Sequence, residues 1–91
     1  MKYLKIEGPG EYSEVPAGFL QYIEGVADRR ELVDVVYLDN KSDRRLGNVR
    51  ISAILVENGG IYMQFVDSGM ELLIRLDAIE SLNNRSASDF T

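Results

Sequence analysis

The chain has 91 residues, of which 45% are hydrophobic and 27% charged, and its formal net charge is −5 at pH 7. This length and composition predict one globular domain spanning residues 1–91. The sequence contains no cysteine and no histidine, which excludes disulfides and removes both the usual zinc ligands and the commonest general base. No apolar run reaches the roughly 18 residues of a membrane span, and residues 1–5 lack a signal-peptide pattern. We therefore expect a cytoplasmic protein that binds no membrane and needs no cofactor or metal.

Charge is unevenly distributed along the chain. Residues 29–50 hold six basic residues against four acidic ones, whereas acidic residues predominate in residues 1–28 and 51–91. Nonspecific nucleic-acid binding draws its affinity from many phosphate contacts, so the acidic balance argues against bulk nucleic acid as the partner. The basic stretch could hold one phosphate or an acidic protein surface, or it could be an ordinary solvated surface loop.

The N-terminal third predicts a short strand and then a helix. Residues 2–7 alternate polar and apolar side chains, as a strand does, and Gly8-Pro9-Gly10 ends the alternation. Pro16 suits the first turn of a helix, because its missing N–H has no intrahelical partner there. The apolar residues that follow recur at the spacing of one helix face: Phe19, Leu20, Ile23, Val26 and Ala27. The pattern predicts an N-terminal helix over residues 16–30.

From residue 31 onward the pattern predicts strands joined by short connections. The apolar segments are 32–39, 49–56, 61–66 and 71–76, followed by a helical turn at 77–79 and a short strand at 80–82. Residues 40–48 predict a polar loop. In the second segment we expect Val49 and Ile51 to point inward, with a change of face near Ser52-Ala53.

Glycine-containing turns predict that neighbouring strands form hairpins. Asn58-Gly59-Gly60 is a strong hairpin signal, since positive φ costs asparagine and glycine little, and Asp67-Ser68-Gly69 predicts a second turn. Strands joined this way favour a mainly β protein with one N-terminal helix, built as a small, strongly bent antiparallel barrel over residues 31–82. A parallel sheet is not expected, because alternating strand and helix units are absent. The polar residues 83–91 predict a frayed tail.

Five segments within residues 33–82 follow one another in a recognisable order. They are Val35-Val36-Tyr37, the arginine-containing loop, Val49-Arg50-Ile51, Gly60-Ile61-Tyr62-Met63 and Ile74-Arg75-Leu76-Asp77-Ala78-Ile79. In this order they resemble the WYL domain, an SH3-type, Sm-like barrel of bacterial regulators. Ile61 stands at the family's tryptophan, Ala78 at its second closing arginine, and its proline after the basic strand is absent.

The chain also resembles a small Rho-binding antiterminator family. That family is similar in length, acidic and Sm-like, with a helix before the barrel and an Arg-Leu-Asp-x-Ile ending, here residues 75–79. Its cysteine-containing N-terminal motif is absent. Both resemblances imply the same small barrel but different partners: a nucleotide or short single-stranded nucleic acid for the first, and a protein such as Rho for the second.

The WYL resemblance implies a ligand site around one arginine. In WYL-like proteins the arginine at the position of Arg75 lines a ligand site, and Arg50, on the preceding basic strand, is its natural companion. The candidate ligand-binding residues are therefore Arg50, Tyr62 and Arg75. Arg75 and Asp77 are two residues apart, so they could instead form an internal ion pair, with Asp77 capping the turn.

Two further groups of residues are candidates for partner contacts. Arg44 and Arg45 could contact a phosphate or an acidic partner. Tyr62 and Phe65 are three apart in one strand and so face opposite sides. We expect one of them to pack inside, while the other, like Tyr37, could offer a stacking surface or pack in the core as well.

Catalysis is not expected. The carboxylates of Asp67 and Glu71, and of Asp39 and Asp43, flank turns, where carboxylates ordinarily only solvate the chain. No histidine is present to activate a serine, and Gly59-Gly60 lies in a hairpin rather than in a phosphate-binding loop.

These observations favour a non-catalytic regulatory or ligand-binding module, linked to bacterial transcription regulation through a protein or nucleotide partner. A protein fits the acidic surface better, because an acidic domain can imitate nucleic acid toward a basic partner. The candidate acidic face comprises Glu24, Asp28, Glu31 and Asp34. The alternative is a structural protein that has no small-molecule or nucleic-acid ligand and forms homo-oligomers through an exposed edge strand.

Overall fold

Seven strands, one α-helix and two 3-10 helices make up the described part of the chain. The computed structural model describes residues 2–8, 10–39, 42–57, 59–67 and 69–90. The strands are β1 (Lys2–Ile6), β2 (Val33–Asp39), β3 (Ser42–Val49), β4 (Ile51–Glu57), β5 (Gly60–Asp67), β6 (Met70–Arg75) and β7 (Ile79–Leu82). Helix α1 is Ala17–Asp28, and the 3-10 helices are Leu76–Ala78 and Ala87–Phe90. A mainly β protein with one α-helix is confirmed.

The strands form two sheets. One has the order β1-β6-β5-β4 and the other the order β3-β2-β7. Only Arg50 separates β3 from β4, and only the 3-10 helix Leu76–Ala78 separates β6 from β7, so the chain passes between the sheets at two tight bends. These pairings leave two separate sheets, and closure into a barrel stays a prediction.

One strand pair departs from the antiparallel arrangement. β1 runs parallel to β6, from Lys2 opposite Met70 to Ile6 opposite Ile74. Parallel neighbours need a long crossover, which the chain from α1 to β5 supplies. The short strand predicted near the N-terminus is therefore present and joins the sheet in parallel, outside the range predicted as an antiparallel barrel.

The predicted helix is present but slightly shorter than expected. It begins after Pro16, whose carbonyl accepts hydrogen bonds from the N–H groups of Phe19 and Leu20. Beyond its end, Arg30 adopts a left-handed conformation with φ 54°, a common way for helices to stop. The predicted apolar face is confirmed. Phe19, Ile23 and Val26 are buried, and Leu20 and Ala27 pack partly buried against the same core.

The prediction of a loop over residues 40–48 is wrong. Residues 42–49 form β3, which pairs with β2 from Leu38 opposite Asp43 to Val33 opposite Val49. β3 lies at a sheet edge, and in this strand only Leu46 and Val49 are buried. An edge strand tolerates many polar and charged residues, so its sequence does not alternate like that of a half-buried strand. Asn40 and Lys41 lie outside the described residues.

The predicted change of face in the next strand is confirmed. The pairing of β4 with β5 shifts between Ile51, opposite Phe65, and Ala53, opposite Gln64, which leaves Ser52 as an extra residue. Val49 and Ile51 are buried, as expected. The predicted hairpins β4–β5 and β5–β6 are also present, with left-handed glycines in both turns (φ 78° at Gly59 and 80° at Gly69). Pro9, Asn58 and Ser68 lie outside the described residues.

The C-terminal residues pack on the helix rather than extending as a frayed tail. The Phe90 ring centroid lies 5.5 Å from those of both Phe19 and Tyr22, and the Arg85 guanidinium lies 4.4 Å from the Phe90 centroid. A Cβ at Gly18 would come within 3.4 Å of the Phe90 side chain. The missing side chain at Gly18 therefore lets this aromatic ring approach the helix closely.

Candidate binding surfaces

Arg75 is buried and bound by its own chain. Its side chain is the one buried charged group among the described residues, with 5% of its surface exposed. Its Nε donates to Asp77 Oδ1 at 2.5 Å, and its Nη2 donates to Asp77 Oδ2 and to the Gly10 carbonyl, each at 3.0 Å. The hydrogen bond to Asp77 raises the pKa of Arg75 above its ordinary value. The geometry therefore favours the alternative of an internal ion pair.

The same ion pair fixes the loop that precedes the helix. Asp77 Oδ2 accepts a hydrogen bond from the Ser13 backbone N–H at 2.9 Å, and the Arg75 guanidinium lies 6.0 Å from the ring centroid of Tyr12. Burial raises the pKa of the Tyr12 hydroxyl. Sequence reasoning missed Gly10, Tyr12 and Ser13 as partners, because some 65 residues separate them from the pair and no local signal marks the contact.

Tyr62 is buried as well, and Lys5 covers one face of its ring. The Lys5 ammonium lies 4.9 Å from the Tyr62 centroid and donates a hydrogen bond to Glu57 at 2.6 Å. That bond raises the pKa of Lys5. Tyr62 and Phe65 do face opposite sides of β5, but both are buried, as is Tyr37. Of the two alternatives for these aromatic residues, the structure therefore favours burial over an open stacking surface.

A small cleft lies beside Tyr62 and Arg75. Its volume is about 380 Å³. Its lining residues are Glu7, Glu11, Tyr12, Gly59, Gly60, Tyr62 and Arg75. Arg75 already binds Asp77, and both other charged residues of the lining are acidic, so the cleft does not present an arginine fork to an anion.

A larger groove lies on another part of the molecule, between α1 and the start of β4. Its volume is about 840 Å³. We call it the α1–β4 groove. Its lining residues are Glu24, Ala27, Asp28, Arg30, Leu32, Asn48, Val49, Arg50, Ile51, Ser52, Ala53, Ile54 and Val66. Arg50 belongs to this groove, which shares no lining residue with the small cleft. The structure thus separates Arg50 from Tyr62 and Arg75.

Four charged side chains of the α1–β4 groove have no ion-pair partner within the part of the chain that the structure describes. Glu24 and Asp28 lie one turn apart on α1, with Arg30 and Arg50 beside them in the lining. Arg50 donates Nε to the Arg30 carbonyl at 2.8 Å, which fixes the stem of its side chain. Half of the Leu32 surface and 45% of the Val66 surface are exposed, so the groove offers charges of both signs and apolar area.

The candidate acidic face is divided. Glu24 and Asp28 line the groove, whereas Glu31 forms an ion pair with Arg29. Asp34 accepts a hydrogen bond from the Asn48 N–H at 3.2 Å. Its carboxylate therefore links β2 to the end of β3. Of the four residues, Glu24 and Asp28 are therefore the two that remain available to a partner.

Arg44 and Arg45 lie on β3, not in a loop. Arg44 is opposite Tyr37 and lies 3.9 Å from the Asp39 carboxylate, a long contact for an ion pair. Arg45 is opposite Val36 and is exposed. Because the two arginines are consecutive in a strand, they face opposite sides of the sheet, and neither lines the cleft or the groove.

Within the described ranges, no group of three acidic side chains is placed to hold a metal ion. No helix in those ranges is long and apolar enough to cross a membrane.

Comparisons with known proteins identified no similar protein. No family model, no curated protein and no solved structure matches the chain.

Proposed function

We propose that this protein is a non-catalytic regulatory module that binds a protein partner in the α1–β4 groove. The observation that carries the proposal is the set of four charged side chains in that groove, two acidic and two basic, that have no ion-pair partner among the described residues. Some charges elsewhere are engaged internally, as in the pairs Lys5–Glu57 and Arg75–Asp77. Charges left open beside exposed apolar side chains suit a polypeptide surface.

The mixture of charges favours a protein over a nucleotide or a nucleic acid. A phosphate that approached Arg50 would also meet Glu24 and Asp28 across the groove, and like charges brought together oppose binding. A protein segment can place a basic group against α1 and an acidic group against Arg50. Retention of a nucleotide or of a short single-stranded nucleic acid is therefore an alternative result of the capture experiment described below.

A role in bacterial transcription regulation and an Sm-like, SH3-type barrel complete the proposal. They are supported by the order of segments within residues 33–82. The two tight bends that pass the chain between the sheets, at Arg50 and at Leu76–Ala78, are consistent with a small bent barrel.

The test is a capture experiment that depends on a single side chain of the groove. Immobilised wild-type protein and the Asp28→Lys variant are compared in a lysate of the source cells, with and without nuclease. We expect the wild type to retain a protein after nuclease treatment, and Asp28→Lys to lose most of it, because the substitution cancels the negative charge that Glu24 and Asp28 give to the α1 side of the groove. Raising the salt from about 50 to about 500 mM should also release it, since exposed ion pairs are screened.

Glu14→Lys is the matched control, because Glu14 is exposed, precedes α1 and does not line the groove. It makes the same change in net charge and should retain the partner. Equal retention by the wild type and Asp28→Lys would contradict the proposal. So would a retained nucleotide, or retained nucleic acid with no protein.

A further inference from the structure

Four strands of the described part of the chain lie at sheet edges, and three of them carry features that discourage pairing with another chain. β1 contains Lys5, and β3 carries Asp43, Arg44 and Arg45. β7 has only four residues and includes Glu80. Charged side chains and short length are the usual protections of an edge strand.

The fourth edge strand, β4, lacks this protection. It pairs with β5 on one side, and no described strand pairs with its other side. The six residues from Ile51 to Val56 include no charged residue. Toward the end of the strand, 38% of the Leu55 surface and 79% of the Val56 surface are exposed. Beyond the bulge at Ser52, this apolar and unpaired edge is a template for another strand.

We propose that two copies of this chain associate by pairing their β4 strands in antiparallel orientation. The charges that flank the uncharged segment select a second copy as the occupant. Arg50 precedes the segment, and Glu57, whose carboxylate also binds Lys5 of its own chain, ends it. Antiparallel pairing of identical strands brings the Arg50 end of one copy to the Glu57 end of the other, so opposite charges meet at both ends of the contact. Parallel pairing would bring like charges together.

This interface shares the start of β4 with the α1–β4 groove, but the tests of the two proposals depend on different side chains. The capture experiment depends on Asp28 of α1, whereas the paired strands depend on the exposed end of β4, so either proposal can fail without the other. The interface also differs in its response to salt. Backbone pairing and apolar contact between the two strands should persist at high salt, because screening weakens only the charged ends.

The test is the molar mass in solution, measured by sedimentation equilibrium from micromolar to millimolar protein. We expect a monomer–dimer equilibrium in the wild type. Val56→Lys should raise the dissociation constant at least about tenfold, a change of about 1.4 kcal/mol, because it places a lysine on the pairing edge. Leu4→Lys on β1 is the matched control, since Leu4 is an exposed apolar residue at the other edge of the same sheet, and it should dimerise like the wild type.

The flanking charges provide a second, independent readout. Glu57→Arg should weaken the dimer, and the combined Arg50→Glu and Glu57→Arg substitutions should restore it, because opposite charges then meet again. Circular dichroism verifies that each variant is folded, and Leu55→Lys replaces Val56→Lys if that variant is not. A wild type that remains monomeric at millimolar concentration would overturn the proposal. So would a dimer that Val56→Lys leaves intact, or one that Leu4→Lys weakens equally.

Discussion

Arg75 and Asp77 lie two residues apart and hold together parts of the chain that are distant in sequence. Through one guanidinium and one carboxylate they reach the Gly10 carbonyl and the Ser13 N–H. Removing one member of a buried pair leaves an uncompensated charge, which costs more than the pair itself contributes. The ion pair is therefore the point at which the loop between β1 and α1 is attached to the sheets.

We expect Asp77→Ala to lower the free energy of unfolding by about 3–5 kcal/mol. The physical reason is that Arg75 keeps its charge in a buried position without its carboxylate partner. Urea denaturation measures the change. Glu14→Ala, at an exposed carboxylate, should stay within about 0.5 kcal/mol of the wild type. A loss below about 1 kcal/mol for Asp77→Ala would show that Arg75 does not depend on this partner.

At the scale of elements, a carboxyl pair connects the two outer strands of the three-stranded sheet. Glu80 of β7 shares a hydrogen bond with Asp43 of β3, and this bond raises the pKa of Glu80 above its ordinary value of 4.5. The folded protein thus holds the shared proton more tightly than the unfolded chain. The pair contributes stability below the ordinary pKa and loses that contribution as the pH rises through the raised pKa.

Glu80→Gln should therefore gain stability relative to the wild type as the pH rises from below 4.5 to neutrality. The amide can keep a hydrogen bond to Asp43 but cannot become a second negative charge. Urea denaturation of both proteins across this range measures the difference, and Asp43→Asn should behave in the same way. A difference that does not change with pH would contradict the coupling between the two strands.

Elements whose inward face is apolar could be predicted from the sequence, and those that depend on distant contacts could not. The face of α1 defined by Phe19, Ile23 and Val26 is buried as the spacing predicts. Residues 40–48 have the composition of a loop although β3 begins at Ser42, because an edge strand needs few apolar residues. The docking of Phe90 on α1 depends on the open space at Gly18, and nothing in the local sequence of the tail indicates it.

The sequence indicated candidate ligand-binding residues, but it could not indicate which of them lie together in the folded protein. The sequence pointed to Arg50, Tyr62 and Arg75, and the structure distributes them between two separate hollows. It also divides the acidic residues, since Asp34 and Glu31 bind their own chain while Glu24 and Asp28 line the groove with Arg50. Which charges stay open is decided by tertiary pairing, and that pairing has no sequence pattern.

At the scale of the whole molecule, the groove with the unpaired charges and the unpaired sheet edge both involve β4. The start of this strand lines the α1–β4 groove, and its far end carries the exposed Leu55 and Val56. The small cleft and the two arginines of β3 lie elsewhere. We therefore assign partner binding to one region, which is formed by α1 and the chain around Arg50.

The most direct test of this assignment is amide hydrogen exchange, measured on the protein alone and in complex with the protein that it captures. In the complex, we expect exchange to slow in residues 24–32 and 48–54, which form the groove. Exchange should stay unchanged in β3 at Arg44 and Arg45, and in the small cleft at Gly59, Gly60 and Tyr62. Slowed exchange at the cleft or along β3, with the groove unchanged, would contradict the central claim that the α1–β4 groove is the binding site.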